Sequence, residues 1–71
     1  MHRSRVKSST LLSAGYDPDR NILELEFTSE EVYQYYQVPA VHFTGLMKAA
    51  SQGEYFNAYI KDHFSFKKAT R

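Results

Sequence analysis

A chain of 71 residues has room for one domain and one core, and six tyrosines and five phenylalanines must supply much of its buried area. With no cysteine, no disulfide or thiolate metal site can staple it, and few aromatics can be spared to line an enclosed cavity of roughly 300 Å³ or more. The composition thus argues against an enclosed active site and for a binding module without catalysis of its own.

The formal net charge of +1 hides a segregation. Residues 1–10 carry Arg3, Arg5 and Lys7 with no acid, and 65–71 carry Lys67, Lys68 and Arg71 with no acid. All eight acids lie between them, against Arg20, Lys48 and Lys61. Basic ends on an acidic body are suited to reaching phosphates, although charged termini also serve solubility alone. No segment is long and apolar enough to span a membrane. The basic start is like that of a signal or transit peptide, but Leu11-Leu12 is broken by Ser13 and Gly15. A cytoplasmic protein is expected, which the lack of cysteine fits.

The first strand is expected over about 10–16, with Leu11 and Leu12 competing for the core. Asp17-Pro18-Asp19-Arg20-Asn21 forms the turn after it, with Pro18 presetting the backbone and Asn21 tolerating a left-handed conformation. Residues 22–27 alternate strictly, placing Leu23, Leu25 and Phe27 on one side and Glu24 and Glu26 on the other. Thr28-Ser29-Glu30-Glu31 turns the chain again, and 32–38 returns as the third strand. Short links imply an antiparallel meander.

The period then changes. Pro39 suits a helix start, and Phe43, Leu46, Met47 and Ala50 follow at helical spacing. Ser51-Gln52-Gly53-Glu54 reads as a capping box opening a second helix with Phe56, Tyr59, Ile60, His63 and Phe64 along one stripe. The basic end then trails off as a flexible tail, with Phe66 tucked back. The expected fold is one α+β domain, core about 8–66: a three-stranded antiparallel meander carrying two helices on one face.

Several stretches together resemble a known family. They are Ser8-Ser9-x-Leu11, Gly15-Tyr16-Asp17, Leu23-x-Leu25-x-Phe27 and Tyr33-x-Tyr35-x-x-Val38-Pro39. Ser51-x-Gly53-x-Tyr55-Phe56-Asn57-x-x-Ile60-Lys61-Asp62-x-Phe64-x-Phe66 completes the series. In this order the pattern is similar to the KTSC domain, a small bacterial module found alone or at the C-terminus of some lysyl-tRNA synthetases. The resemblance implies a compact α+β module, a Tyr-x-Tyr signature at Tyr33 and Tyr35, and an accessory RNA-binding role. One departure stands out: the turn before the third strand normally carries glycine, and here it reads Glu30-Glu31.

Strand alternation puts Tyr33 and Tyr35 on one face and Val32, Gln34, Tyr36 and Val38 on the other. Gln34 faces the glutamate side, so Tyr33 and Tyr35 are expected to pack in the core, each hydroxyl finding a polar partner at its edge. Facing outward, they would instead be a stacking platform. Tyr36 is the aromatic nominated for stacking on the wet face, with Arg3, Arg5, Lys7, Lys61, Lys67, Lys68 and Arg71 for phosphates. Asn57, a poor helix former inside the second helix, is expected to hydrogen-bond a sheet edge or a tyrosine hydroxyl.

His2, His42 and His63 share no metal spacing, His63 being expected as a partly buried helix residue, and no cofactor is expected. Glu24 and Glu26, about 7 Å apart along a strand, are expected as solvated charges rather than an acid/base pair. Two partners follow: RNA through the basic ends, or a protein docked on the open sheet face or an edge strand, where Ile22 and Tyr36 would lie exposed. No small-molecule substrate is expected.

Overall fold

The computed structural model describes residues 2–69 and shows a single antiparallel sheet with two short helices. In chain order it runs β1 (Ser4–Arg5), β2 (Leu11–Asp17), β3 (Ile22–Phe27), β4 (Val32–Tyr35), α1 (Ala40–Lys48), α2 (Gln52–Tyr55) and β5 (Phe66–Ala69). The strands lie side by side in that same order. The α+β class and the central meander are as expected, but the sheet has five strands, not three. Both basic ends supply the extra strands: Ser4 and Arg5 pair with Ala14 and Ser13, and 66–69 pair with β4. Neither strand has an alternating apolar pattern, since each is an edge carrying exposed basic side chains.

A β-bulge resolves the competition between Leu11 and Leu12. Leu11 pairs with Phe27 and Ser13 with Glu26, so Leu12 is the extra residue. The one-residue slip lets Leu11 and Ala14 both enter the core while Ser13 faces away from it. The following turn is held as its residues predict. The Asp17 carboxylate accepts from the amides of Asp19 and Arg20 at 3.0 and 3.3 Å, and Asn21 takes φ 57°. The Tyr16 hydroxyl donates to the Val38 carbonyl and to Asn21, while its ring stacks on Phe43.

β4 is shorter than expected. It ends at Tyr35, Gln37 turns back at φ 58°, and Val38 enters the core as its amide donates to the Asn21 carbonyl. Pro39 precedes α1 as its cap in an extended conformation. Leu46 is the buried residue of that helix, with Phe43 and Met47 beside it, while Ala50 is exposed beyond its end. Gly45 faces α2 so closely that a Cβ would collide with the Tyr55 hydroxyl.

Ser51 caps α2 as expected, accepting from the Glu54 amide at 3.2 Å. The second helix then departs from its expected course: after one α-turn it widens into a π-helical turn over Phe56–Ile60. The Lys61 amide donates to Phe56, and Asp62 reverses the chain at φ 67°. Widening keeps Phe56 and Ile60 buried but swings Tyr59 out and releases His63 to an exposed turn, so neither joins the apolar stripe.

The core is Leu11, Ala14, Leu23, Leu25, Tyr35, Val38, Leu46, Phe56 and Ile60. Among the described residues no helix is long and apolar enough to cross a membrane.

The turn before β4 holds Glu30 at φ 73°, a left-handed conformation that glycine adopts freely. Relief of about 1–2 kcal/mol of strain, less the extra freedom glycine gives the unfolded chain, predicts that Glu30→Gly raises stability by up to about 1 kcal/mol. A shift of the urea midpoint to higher concentration checks it.

Candidate functional site

The helix-free face of the sheet is expected to be wet, and Arg3 instead covers the part of it over Ser13, Glu24 and Glu26. Gly15 makes this possible, because a Cβ there would collide with the His2 carbonyl and the Arg3 side chain. Arg3 lies across the strand and donates to Glu24, and its Nε donates to Ser13 at 2.9 Å. Its other guanidinium nitrogen is 3.7 Å from Glu26. Ser13 donates to Glu26 at 2.9 Å and the Gln34 amide to Glu24 at 2.8 Å. Glu24 is consequently only 7% exposed, not a solvated charge, and Arg3 is committed to the fold rather than available to phosphate.

The other basic residues do not form one patch. Arg5 is exposed on β1 and Lys7 follows it, at the opposite edge of the sheet from Lys67 and Lys68 on β5. Four strand spacings, about 19 Å, separate those edges. Lys68 Nζ is 2.9 Å from the Glu31 carboxylate, a pair that holds Glu31 below the usual carboxylate range and raises Lys68. Lys61 is exposed on the helix side, and Arg71 lies outside the described residues.

Tyr36 and Ile22 are half-buried, not exposed. The Tyr36 amide donates to the Ser65 carbonyl at 2.9 Å and its hydroxyl to Gln34 at 3.3 Å. It borders an open groove of about 300 Å³ with Gln34, Lys67 and Lys68, so three of the nominated residues do converge. Asn57 is exposed in the π-turn, and among the described residues its side chain makes none of the expected hydrogen bonds.

Tyr33 and Tyr35 face the helix side. Tyr35 is 5% exposed and meets Phe56 edge-on at 5.7 Å, while Tyr33 is half-buried against the core. Their rings are packed as expected, but their hydroxyls are not satisfied as expected: among the described residues neither has a hydrogen-bond partner, and neither is sealed from water. Both line a solvent-open cleft of about 330 Å³ with Phe27, Phe56, Phe66 and, from beyond the π-turn, Lys61 and Asp62. Open clefts of the size reserved for a ligand therefore exist without costing the core its rings, because those rings serve as both wall and packing.

With this geometry in view, comparison with known proteins is decisive about kinship. The family model of the KTSC domain matches residues 7–64. The chain belongs to the KTSC domain family. An uncharacterised protein of Stutzerimonas stutzeri is 42% identical over 67 residues, covering 93% of this chain and 94% of that one. A lysine–tRNA ligase of Nostoc sp. is 38% identical over 62 residues, which are 87% of this chain but 11% of the ligase. A crystal structure of a KTSC domain protein from Yersinia pestis superposes with a TM-score of 0.95 at 40% identity, covering 97% of each chain.

Reading the sequence alone missed Asp62 and the convergence of Phe27, Phe56 and Phe66 on Tyr33 and Tyr35. Phe27 was already on the tyrosine face by alternation. The π-turn that delivers Asp62 leaves no periodic trace.

Burial pushes the Tyr35 phenol up to about 12, with Tyr33 and Asp62 adding to the rise. An unfolded tyrosine loses its proton near 10, so between about pH 10 and 12 the unfolded chain binds fewer protons than the folded one. Stability contributed by the neutral phenol is therefore complete below pH 10 and falls through that window. Tyr16 is shifted in the same direction by its own burial and by Asp17. Tyr35→Phe should flatten the decline of melting temperature above pH 10 while leaving neutral-pH values close to the parent.

Proposed function

We propose that this chain is a non-catalytic, cytoplasmic binding module that engages single-stranded RNA along the β4–β5 edge of its sheet. The observation carrying this reading is the open groove where Tyr36 and Gln34 adjoin Lys67 and Lys68. An aromatic surface beside Lys67, with Lys68 on the same edge strand, suits a single strand, whose bases stack and whose phosphates need charge. The kinship with a segment of the Nostoc lysine–tRNA ligase supports it, since that protein handles an RNA. Arg3 has no part in this interface, and Arg5 and Lys7 would reach a strand only across the full width of the sheet.

A protein-docking alternative has its own support. β1 and β5 are both edges, and Phe66 on β5 is 56% exposed, so an extended partner segment could add beside it. The lysines of β5 also guard that edge against such pairing.

Salt dependence separates the two. With about two phosphates neutralised by Lys67 and Lys68, log affinity for a short RNA should fall with log salt at a slope of roughly −1.4. Lys67→Gln should weaken binding and reduce the slope without moving the melting temperature, whereas Arg3→Gln should lower the melting temperature, because it strands Glu24. Absence of binding at low salt, or heparin binding as tightly as RNA, would end the RNA reading. A partner complex that survives nuclease and hardly responds to salt would favour protein docking.

A further inference from the structure

On the helix-covered face, five rings form a closed circuit. Centroid separations are 5.7 Å for Phe27–Tyr33, 5.7 Å for Tyr33–Phe66 and 5.5 Å for Phe66–Tyr35, then 5.7 Å for Tyr35–Phe56 and 5.3 Å for Phe56–Phe27. All five rings line the 330 Å³ cleft. Their planes meet at 37° to 82°, so no pair is stacked face to face and ring surface is left for another planar group.

Ser29 and Glu31 at the rim of the cleft are bonded to each other, and Glu31 to Lys68, while Tyr35, Lys61 and Asp62 are uncommitted among the described residues. A phenol as deeply buried as Tyr35 ordinarily has a hydrogen-bond partner, and this one has none among the described residues. Because its hydroxyl is not sealed from water, it is open to a partner in the cleft that Tyr35 lines. Like any phenol it is a neutral donor across the physiological range. Lys61 has no ion-pair partner among the described residues, whereas Glu31 at the same rim is neutralised by Lys68. Asp62, fixed at φ 67°, adds one acceptor.

Aromatic walls, a phenol donor, one carboxylate acceptor and one free cation match a planar heteroaromatic base joined to an anion. We propose that this cleft binds a nucleoside monophosphate, with the base among the five rings and the phosphate at Lys61. The Tyr35 hydroxyl then donates to a carbonyl or ring nitrogen of the base, and Asp62 accepts from an amino or imino group. The same chemistry could come from a free nucleotide or from one unit of a strand. Quaternary ammonium, the other ligand aromatic walls attract, has no acceptor for the Tyr35 hydroxyl and no anion for Lys61. The inference does not rest on the RNA reading, because a free mononucleotide suffices and the cleft lies on the opposite face of β4 from Gln34.

The test is an amide chemical-shift titration of the full chain with AMP and UMP, alongside ribose 5-phosphate, choline and a short oligouridylate. Saturable shifts should cluster at Tyr33, Tyr35, Lys61, Asp62 and Phe66. Tyr35→Phe, which keeps the ring, and Lys61→Gln, at an exposed site, should each weaken mononucleotide binding about tenfold. If the oligouridylate shifts the same residues more tightly than UMP, the source is a strand; equal affinity makes it the free nucleotide. The proposal is overturned if millimolar mononucleotide gives no saturable shift, or if ribose 5-phosphate or choline moves the same amides as strongly. It is equally overturned if both variants bind like the parent. An oligouridylate that moves only Gln34, Tyr36 and Lys67 would remove this site and leave the RNA reading standing.

Discussion

The contact between the Tyr33–Tyr35 face of the sheet and Phe56 is what the rest of the domain depends on. A chain this small, with no cysteine, must draw cohesion from a few large side chains. Tyr35 joins Leu23 in register on β3 and Phe66 in register on β5, and it reaches Phe56 across the layer. One residue thus ties three strands to the helical layer. Each such ring pair adds about 0.5–1.5 kcal/mol beyond the area it buries. The same rings also wall an open cleft at the edge of the core. Packing and cleft therefore share one origin.

The opposite face is secured by charge instead of by apolar contact. Gly15 gives Arg3 room to cross β2, and the guanidinium satisfies two carboxylates that β3 directs to that side. An unpaired Glu24 at that depth would be costly, so the N-terminal segment is held in place as β1. This has a consequence for the surface: the most N-terminal arginine is spent inside, and the exposed Arg5, Lys61 and Lys67 are spread over different parts of the domain.

Much of the fold was legible because its signals are local. The alternation of 22–27, the turn chemistry of Asp17 and Asn21, the Ser51 cap and the inward placement of Tyr35 each follow from neighbours in sequence. β1 and β5 were not legible, since an edge strand carrying lysine or arginine has no apolar period and is defined by whom it pairs with. Glu24 looked solvated because its partner lies 21 positions away. The π-turn misled the assignment of Tyr59 and His63, since one extra residue per turn rotates everything after it. For the candidate site, the lysines and Tyr36 could be nominated from composition. The ring circuit could not, because Phe56 and Phe66 reach the tyrosines only through tertiary packing.

The most direct test of the account is a nuclear Overhauser spectrum of the uniformly labelled chain. The packing described here requires cross-peaks from the Tyr35 ring to the rings of both Phe56 and Phe66, and from the Tyr36 ring to the Gln34 side chain. A Tyr36 ring in contact with Phe56, with the Tyr35 ring showing none, would contradict it.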